Sequence, residues 1–414
     1  MENKFNYWAM GKVLLITMGA LAADMTGIQS TMAMRTCAPW TNEVSVASCP
    51  AAVQSRAEVA WTRVIADDGG RYCGWPSVCC RKNGELIAVY SGDRTTHICP
   101  WGQVRLIRST DNGETWSEPQ VIRNGLLDDR DAGIIELDNG DLMVFWFTSI
   151  AYKVKLRKRN PDWDRHYAKI PEKLVREELG SFSMNSSDGG KTWSKPVRVP
   201  TSAPHGGIQL QDGRIVVVGV QNRAVRGNLL PEDPGEAAIM PSDRYVVAES
   251  RDRGASWREL GVYPVGEYKA ICEPHLFEAK DGVLHAFFRN HKGNGCLTKS
   301  CSRDGGKTWS DMQPTAIDGF PPHILRLRDG RLVLSYGRRK TDRFGEFAVI
   351  SDDGGKTWDV AHEVALAHSI NTDLGYPCST ELLDGSILTV YYQQPVPGPG
   401  AKPAVMATKW KLTR

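Results

Sequence analysis

Short apolar runs separated by tight turns recur along most of the chain. Residues 86–90 (LIAVY) and 215–218 (IVVV) are examples, and each closely follows an Asn-Gly or Asp-Gly pair. Runs of β-branched and aromatic residues beside such dipeptides are typical of two-residue β-hairpins. The six turns of this kind are Asn83-Gly84, Asn139-Gly140, Asp212-Gly213, Asp281-Gly282, Asp329-Gly330 and Asp384-Gly385. The pattern therefore predicts six hairpins.

A second repeat, Ser-x-Asp-x-Gly-x-Thr-Trp, alternates with these hairpins. Its five copies begin at Ser109, Ser186, Ser250, Ser302 and Ser351, and the third copy is degenerate. In each copy the Asp carboxylate can accept hydrogen bonds from turn N–H groups, and the glycine can take a positive φ. The tryptophan can fill the space between neighbouring sheets. Each copy therefore predicts a further turn that is anchored by its own side chains.

The two repeats together predict an all-β fold, a six-bladed β-propeller. Each unit holds four strands in roughly 50 to 80 residues, which is the size of a propeller blade. Residues 58–65 are expected to pair with residues 405–412, which would close the ring and remove its edges. Two insertions, residues 152–180 and 223–243, are expected to be surface excursions that overhang one mouth of the propeller.

Composition agrees with a globular β protein. Of 414 residues, 41% are hydrophobic and 24% charged, which excludes a disordered or fibrous chain. The 51 Lys and Arg against 48 Asp and Glu give a net charge of +3, so no strong positive excess points to nucleic acid. The 40 Gly, 23 Pro and 13 Trp suit many short strands joined by turns, and disfavour a helical bundle.

The start of the chain has the features of a targeting segment. An apolar run at residues 13–22 follows Lys4 and Lys12 and is too short to span a bilayer. We expect a signal peptide at 1–23, an extension at 24–57 and a single propeller domain at 58–414, in a secreted or periplasmic protein without a stable membrane span. Among the ten cysteines, Cys37 and Cys49 are the first pair to test for a disulfide.

Polar residues gather at one end of the predicted hairpins. The residue that begins the first strand of a hairpin lies beside the residue that ends the second, opposite the glycine turn. All six blades contribute to this mouth, where a propeller places its ligand site. The mouth residues include Trp75, Asp93, Arg94, Asp128, Asp129, Arg130, Asp131, His205, Asn222, Glu273, His275, Arg289, Asn290, His323, Arg338, Arg339, Asp373, Tyr376, Gln393 and Gln394.

The boxes and the order of the mouth residues resemble the sialidase (neuraminidase) superfamily, whose members are six-bladed propellers with Asp-box (BNR) repeats. The resemblance covers residues 71–394. It implies an arginine triad that binds the carboxylate of the substrate, and a tyrosine nucleophile that is paired with a glutamate. The implied positions are the nucleophile Tyr376 in residues 373–377, its partner Glu273 in 272–274, and the second and third arginines, Arg289 in 287–290 and Arg338 in 335–338.

The first arginine of the family triad is replaced in this chain. Gly74 stands at that position, where blade one begins. The triad is then completed only if Arg130, Arg71 or Arg94 reaches the same place. The change also widens the substrate class from sialic acid to other acidic or modified sugars.

The proton-transfer groups follow from the chemistry and from the resemblance. A phenol with a pKa near 10 is a weak nucleophile, so Tyr376 needs a base, and Glu273 is the candidate. The family places its acid and base in the loop after the first hairpin, which here spans residues 91–101. Asp93 and His97 are both candidates, because a histidine with a pKa near 6.5 can also transfer the proton.

The resemblance implies an exo-acting glycoside hydrolase of sialidase type, an exo-α-sialidase or a relative of one. It would remove a terminal sialic acid or related acidic sugar from a glycoprotein, glycolipid or oligosaccharide, without a cofactor or a metal. Besides the residues with assigned roles, the pocket is expected to be lined by Arg130, Asp131, His205, His275, His323 and Trp75.

Two alternatives keep the propeller and change the chemistry. A uronate-directed polysaccharide lyase, or another glycosidase, would use the histidines, with Arg130 neutralising the uronate. A non-catalytic glycan-binding propeller would suit the missing arginine at Gly74.

Overall fold

The computed structural model describes residues 56–153, 160–221, 244–268, 271–291, 295–340, 343–398 and 400–413. The expected signal peptide at 1–23, nearly all of the extension and the Cys37–Cys49 pair lie outside these ranges. The insertion at 223–243 and Asn222 also lie outside them.

The described part of the chain contains twenty-four strands. In chain order they are β1 (Ala57–Ala66), β2 (Tyr72–Cys80), β3 (Leu86–Arg94), β4 (Gln103–Ser109), β5 (Gln120–Arg123), β6 (Asp128–Glu136), β7 (Leu142–Ser149), β8 (Ser181–Ser186), β9 (Val197–Val199), β10 (Ile208–Gln209), β11 (Ile215–Gln221), β12 (Arg244–Ser250), β13 (Arg258–Val262), β14 (Ile271–Glu278), β15 (Leu284–Asn290), β16 (Cys296–Ser302), β17 (Gln313–Asp318), β18 (Pro322–Arg326), β19 (Leu332–Lys340), β20 (Arg343–Ser351), β21 (Val364–His368), β22 (Gly375–Glu381), β23 (Ile387–Gln393) and β24 (Ala404–Leu412).

The strands are arranged in six antiparallel sheets of four. The sheets are β2-β3-β4-β5, β6-β7-β8-β9, β10-β11-β12-β13, β14-β15-β16-β17, β18-β19-β20-β21 and β22-β23-β24-β1, which we number as blades one to six. The predicted six-bladed β-propeller is confirmed. In every blade the predicted Asn-Gly or Asp-Gly turn joins the first two strands.

The ring closes as the sequence predicts. Strand β1, from the start of the domain, pairs with β24 from its end, so that Ala57 lies opposite Leu412 and Ala66 opposite Val405. Blade six thereby obtains its fourth strand from the other end of the chain. This pairing removes the free edge that an open ring would expose.

The five Asp boxes join the third and fourth strands of blades one to five. In the fourth box, Asp304 accepts hydrogen bonds from the N–H and hydroxyl of Thr308 at 2.9 and 2.6 Å, and Ser302 Oγ accepts from Gly306 N at 2.8 Å. Trp309 of the same box packs into the core between blades three and four. The predicted roles of the Asp and Trp positions are confirmed.

The insertion after β7 contains a 3₁₀ turn, Ala151–Lys153, and two short helices, α1 (Pro161–Ala168) and α2 (Glu172–Glu178). Tyr152 packs against Ile98 from the loop that follows β3. Because β7 ends away from its hairpin turn, this insertion lies at the mouth end of the blades. Within the ranges that the structure describes, no helix is long and apolar enough to cross a membrane, and no disulfide joins the described cysteines.

Candidate active site

Four blades begin with the same irregularity at the mouth. Their first strands contain a register shift beside a non-glycine residue of positive φ. These residues are Trp75 (+52°), Asp131 (+50°), Glu273 (+46°) and Tyr376 (+57°). The left-handed conformation costs a residue with a Cβ about 1–2 kcal/mol. Strain and bulges that recur at equivalent positions are typical of functional sites, because the bulge re-aims a side chain.

Tyr376, Glu273 and Arg289 form one hydrogen-bonded group. The Tyr376 hydroxyl donates to Glu273 Oε1 at 2.6 Å, and Arg289 Nη1 donates to Glu273 Oε2 at 2.7 Å. Burial acts to raise the pKa of Glu273, but the Arg289 charge and these hydrogen bonds outweigh it, so the pKa lies below its ordinary value. Burial and the Glu273 charge raise the pKa of Tyr376. The phenol therefore holds the proton beside an ionised carboxylate.

Arg338 points away from this group. Its Nη1 donates to Glu363 Oε1 at 2.9 Å, its Nε donates to the Asp318 carbonyl at 3.1 Å, and the guanidinium lies over Phe347. The choice of Arg338 as the third arginine is therefore corrected. Successive side chains of a strand point to opposite faces, so the next residue, Arg339, faces the site instead.

Arg339 lies beside Tyr376. Its guanidinium carbon is 5.9 Å from the centre of the Tyr376 ring, and its Nε and Nη2 donate to the Leu374 carbonyl at 3.1 and 2.6 Å. Arg339 and Arg289 both contact Phe320. In the described part of the chain Arg339 makes no ion pair, so it carries a positive charge that an anionic ligand can neutralise.

His97 lies against Trp75, which in turn packs beside Tyr376. The two ring centres are 5.0 Å apart, and Trp75 meets the Tyr376 ring at 6.4 Å. His97 Nδ1 lies 2.8 Å from the Tyr72 hydroxyl and 3.3 Å from Asp373 Oδ1. Burial lowers the pKa of His97, the Asp373 carboxylate opposes this, and the Arg130 charge adds to it.

Asp93 is not brought to the same place. Arg71 Nε lies 2.6 Å from its Oδ1, and Gln103 Nε2 donates to its Oδ2 at 3.2 Å. Its backbone is itself left-handed, with φ +57°, which turns the side chain into this network. Of the two candidates for proton transfer, the structure therefore places only His97 against the aromatic residues around Tyr376.

The possible replacements for the missing arginine at Gly74 differ in their contacts. Arg71 is held by Asp93, and Arg94 is fully buried with its Nη1 and Nη2 at 2.5 and 2.8 Å from the two oxygens of Asp128. Arg130 lies over the Trp75 ring at 4.2 Å. Among these three arginines, Arg130 alone has no carboxylate oxygen closer than 3.9 Å within the described ranges.

Trp75 is a packing residue in this structure. It is 1% exposed, and the guanidinium groups of both Arg130 and Arg94 lie over its ring. The expectation that Trp75 contacts the substrate is therefore corrected, because no face of the ring is open to a sugar. Its bulge turns the indole inwards, where it supports Tyr376, His97 and Arg130.

Asp131 belongs to the central group. It is 7% exposed, and its Oδ1 has no hydrogen-bond partner in the described part of the chain. Burial raises its pKa to about 7, against the Arg130 charge and together with the Glu273 charge.

The three predicted pocket histidines are buried against one another. Their ring centres are 4.3 Å apart for His275 and His323, 5.2 Å for His205 and His323, and 6.0 Å for His205 and His275. Backbone N–H groups of Ile324 and Ser379 in the following blades donate to Nδ1 of His275 and His323. Burial lowers the pKa of all three, that of His275 to about 3. As neutral side chains, His275 and His323 connect neighbouring blades, and His205 lies 3.3 Å from the Ser77 hydroxyl of blade one.

Comparison with known proteins agrees with this architecture. The model of the BNR repeat-like domain matches residues 166–389, more than half of the chain, and the BNR/Asp-box repeat matches residues 107–118. The chain belongs to the BNR-repeat propellers of the sialidase superfamily.

Named relatives of this BNR propeller are sialidases of low identity. One from Bacteroides fragilis (strain YCH46) is 23% identical over 369 residues, covering 81% of this chain and 62% of the relative. One from Micromonospora viridifaciens is 24% identical over 367 residues, covering 81% and 51%. The chain thus spans between half and two thirds of their lengths. A solved protein of unknown function from Dyadobacter fermentans DSM 18053 has a TM-score of 0.69 at 23% identity, covering 86% of this chain and all of that one.

The site of the BNR propeller also contains residues to which the sequence alone assigns no role. Arg339 and Asp373 belong to the predicted mouth without a function, and Tyr72 lies outside the predicted set. Three of the four bulges could have been predicted from the sequence, because Trp75, Glu273 and Tyr376 each precede a proline. A residue before proline is disfavoured in the right-handed helical region, and proline lacks the N–H that regular strand pairing uses. Such a pair at the start of a strand therefore favours a departure from regular pairing.

Proposed function

We propose that the chain is an exo-acting glycoside hydrolase of sialidase type, which removes a terminal acidic sugar from glycans through Tyr376 as nucleophile. The observation that carries this proposal is the 2.6 Å hydrogen bond from the Tyr376 phenol to the ionised Glu273. A phenol becomes an effective nucleophile when an adjacent base takes its proton as it attacks. Sialidases with a tyrosine nucleophile are the known exception to the two-carboxylate mechanism of glycosidases.

In the first step, Tyr376 Oη attacks the anomeric carbon while its proton passes to Glu273 Oε1. The bond between the anomeric carbon and the leaving oxygen breaks, and the His97 imidazolium donates a proton to that oxygen. In the second step, neutral His97 takes a proton from a water that attacks the anomeric carbon. The Tyr376 oxygen then leaves and recovers its proton from Glu273. Two displacements retain the anomeric configuration.

The proposal of an acidic substrate rests on Arg289 and Arg339, which both contact Phe320. Arg289 and Arg339 offer forked donors that suit a carboxylate. A neutral phenol also avoids the repulsion that a carboxylate nucleophile would experience beside an anionic sugar. Sialic acid is the first candidate because the named relatives are sialidases.

His97 is the proposed proton donor because its partners orient it. Tyr72 and Asp373 both contact Nδ1, so a proton on Nδ1 is held by the Asp373 carboxylate and Nε2 is left to serve the leaving oxygen. We further propose that the enzyme acts on extracellular or periplasmic glycans, on the basis of the apolar run at residues 13–22.

A uronide is the second candidate substrate, because Gly74 replaces an arginine that the family uses for the sialic acid carboxylate. Release of a fluorescent aglycone from a sialoside and from a panel of uronides distinguishes the two. The assay should compare wild type with Tyr376→Phe and, as a matched control, Tyr391→Phe, since Tyr391 is buried against Thr408 in the same blade. We expect release that collapses in the first variant and persists in the second. Binding without release from any substrate would favour the glycan-binding alternative instead.

A further inference from the structure

Arg130 is a buried cation without a hydrogen-bonded counter-ion. It is 9% exposed, and the nearest carboxylate oxygens, Asp128 Oδ2 and Asp131 Oδ1, are both 3.9 Å away. Its Nε is buried and has no hydrogen-bond partner in the described ranges. A buried charge is costly unless a partner neutralises it and satisfies its donors.

Neither neighbouring carboxylate makes a hydrogen bond to Arg130. Both oxygens of Asp128 are taken by Arg94, at 2.5 and 2.8 Å. Asp131 Oδ1 lies 3.9 Å from Arg130 Nε, beyond hydrogen-bond distance, and burial raises the pKa of Asp131 to about 7. The Arg130 guanidinium is instead held over the Trp75 ring at 4.2 Å, a cation–π contact that uses none of its N–H donors.

Arg130 packs on a different aromatic residue from the other two site arginines. Arg289 and Arg339 both contact Phe320, whereas Arg130 contacts Trp75, which in turn meets His97 at 5.0 Å. If His97 donates a proton to the leaving oxygen, as the proposed function requires, the Arg130 side of the site is the side on which the leaving group departs.

We propose that Arg130 is a specificity-determining residue that binds an anionic group, a carboxylate or a sulfate ester, on the leaving group of the substrate. The substrate then carries two negative groups, one on the terminal sugar at Arg289 and Arg339 and one on the next residue at Arg130. Such an anion neutralises a guanidinium charge that has no carboxylate oxygen closer than 3.9 Å. The direction of this assignment rests on the proposed function, since it uses His97 to identify the leaving side.

The test uses disaccharides that share the terminal acidic sugar and differ in the leaving residue, which is galactose, galacturonate or 6-sulfogalactose. Wild type, Arg130→Gln and Arg71→Gln are compared by kcat/KM and by calorimetric Kd, after thermal melts show that the variants are folded. Arg71 is the matched control, because it is a mouth arginine of blade one that Asp93 already holds. We expect a charged leaving residue to raise kcat/KM on the order of tenfold in wild type. Arg130→Gln should reduce that ratio to near one, and Arg71→Gln should preserve it.

If Arg130→Gln lowered kcat/KM equally for neutral and charged leaving residues, the inference would be overturned, because Arg130 would then bind the terminal sugar. A preference for charged leaving residues that persists in Arg130→Gln would overturn it as well. So would a wild type that shows no such preference in kcat/KM. Preference for galacturonate alone or for the sulfate alone would support it and identify the anion. If no disaccharide is hydrolysed, a binding preference that Arg130→Gln abolishes would support the role of Arg130 while refuting the hydrolase proposal. Absence of any binding would contradict both.

Discussion

Replacing Arg338 and Arg339 separately by methionine should give opposite phenotypes, although the two residues are adjacent. Arg338 is bound to Glu363 and Asp318, away from Tyr376, and should matter for stability. Arg339 lies against Tyr376 and, on the proposed function, should matter for substrate binding. Methionine keeps much of the aliphatic volume of either arginine and removes the charge.

The magnitude for Arg338 follows from its burial. The side chains of Arg338 and Glu363 are 8% and 10% exposed, so removal of the arginine leaves a buried carboxylate. Loss of one partner of a buried ion pair costs roughly 3–5 kcal/mol. Arg343 still contacts Glu363 at 2.8 Å, although its side chain is 53% exposed. The expected loss is therefore about 3 kcal/mol, the lower end of that range.

The magnitude for Arg339 follows from its donors. Its bonds to the Leu374 carbonyl are lost in Arg339→Met, and about 1 kcal/mol of stability with them. A hydrogen bond to a charged group contributes about 1.5–3 kcal/mol, so kcat/KM for an acidic sugar should fall roughly 10- to 100-fold.

Urea unfolding at 25 °C and steady-state kinetics on the same preparations provide the comparison. Arg338→Met should unfold at markedly lower urea and, where folded, keep most of its kcat/KM. Arg339→Met should be nearly as stable as wild type and lose activity. A stable Arg338→Met with lost activity, beside an active Arg339→Met, would refute the assignment of Arg339 to the face of β19 that meets Tyr376.

Two further predictions concern pH. The imidazolium of His97 is the proposed acid, so kcat/KM should fall as pH rises through its pKa, and Asp373→Asn should move that fall to lower pH because the carboxylate that opposes burial is lost; a pH–rate profile with an unmoved alkaline limb would contradict this role. Hydrogen bonds from Thr308 hold the pKa of Asp304 at about 2, below the ordinary 3.8, so its contribution to stability is present above pH 3.8 and is lost as pH falls through about 2. The fall in the urea midpoint on acidification should therefore be smaller in Asp304→Asn, and identical slopes in variant and wild type would exclude this contribution.

Local chemistry makes the fold predictable. Each hairpin depends on a dipeptide that tolerates positive φ, and each Asp box contains its own hydrogen-bond donors and acceptors. Ring closure also follows from the counts. Six hairpins supply the first and second strands of six blades, whereas only five Asp boxes join a third strand to a fourth. The blade without a box therefore lacks a fourth strand, which the start of the domain supplies. Tyr376, Glu273 and Arg289 are predicted together because the resemblance supplies their order, and the structure brings their side chains into one hydrogen-bonded group.

The remaining site residues depend on geometry that sequence does not encode locally. Choosing between Arg338 and Arg339 requires knowing which side chain of strand β19 faces the site. The face is set by the register of pairing across the sheet. The burial of Trp75 depends on a bulge and on Arg130 from another blade. His97 and Asp373 are 276 residues apart in the sequence, so no local pattern predicts their contact.

The central claim is that Tyr376 forms a covalent bond to the sugar, and trapping that intermediate tests it most directly. A glycosyl fluoride of the preferred acidic sugar, with a second fluorine beside the anomeric carbon, allows the first displacement and slows the second. Peptide mass spectrometry should then locate the sugar on Tyr376 in wild type and in Tyr391→Phe, and should find no adduct in Tyr376→Phe. An adduct on Glu273, or turnover of the native substrate without any adduct on Tyr376, would contradict the account.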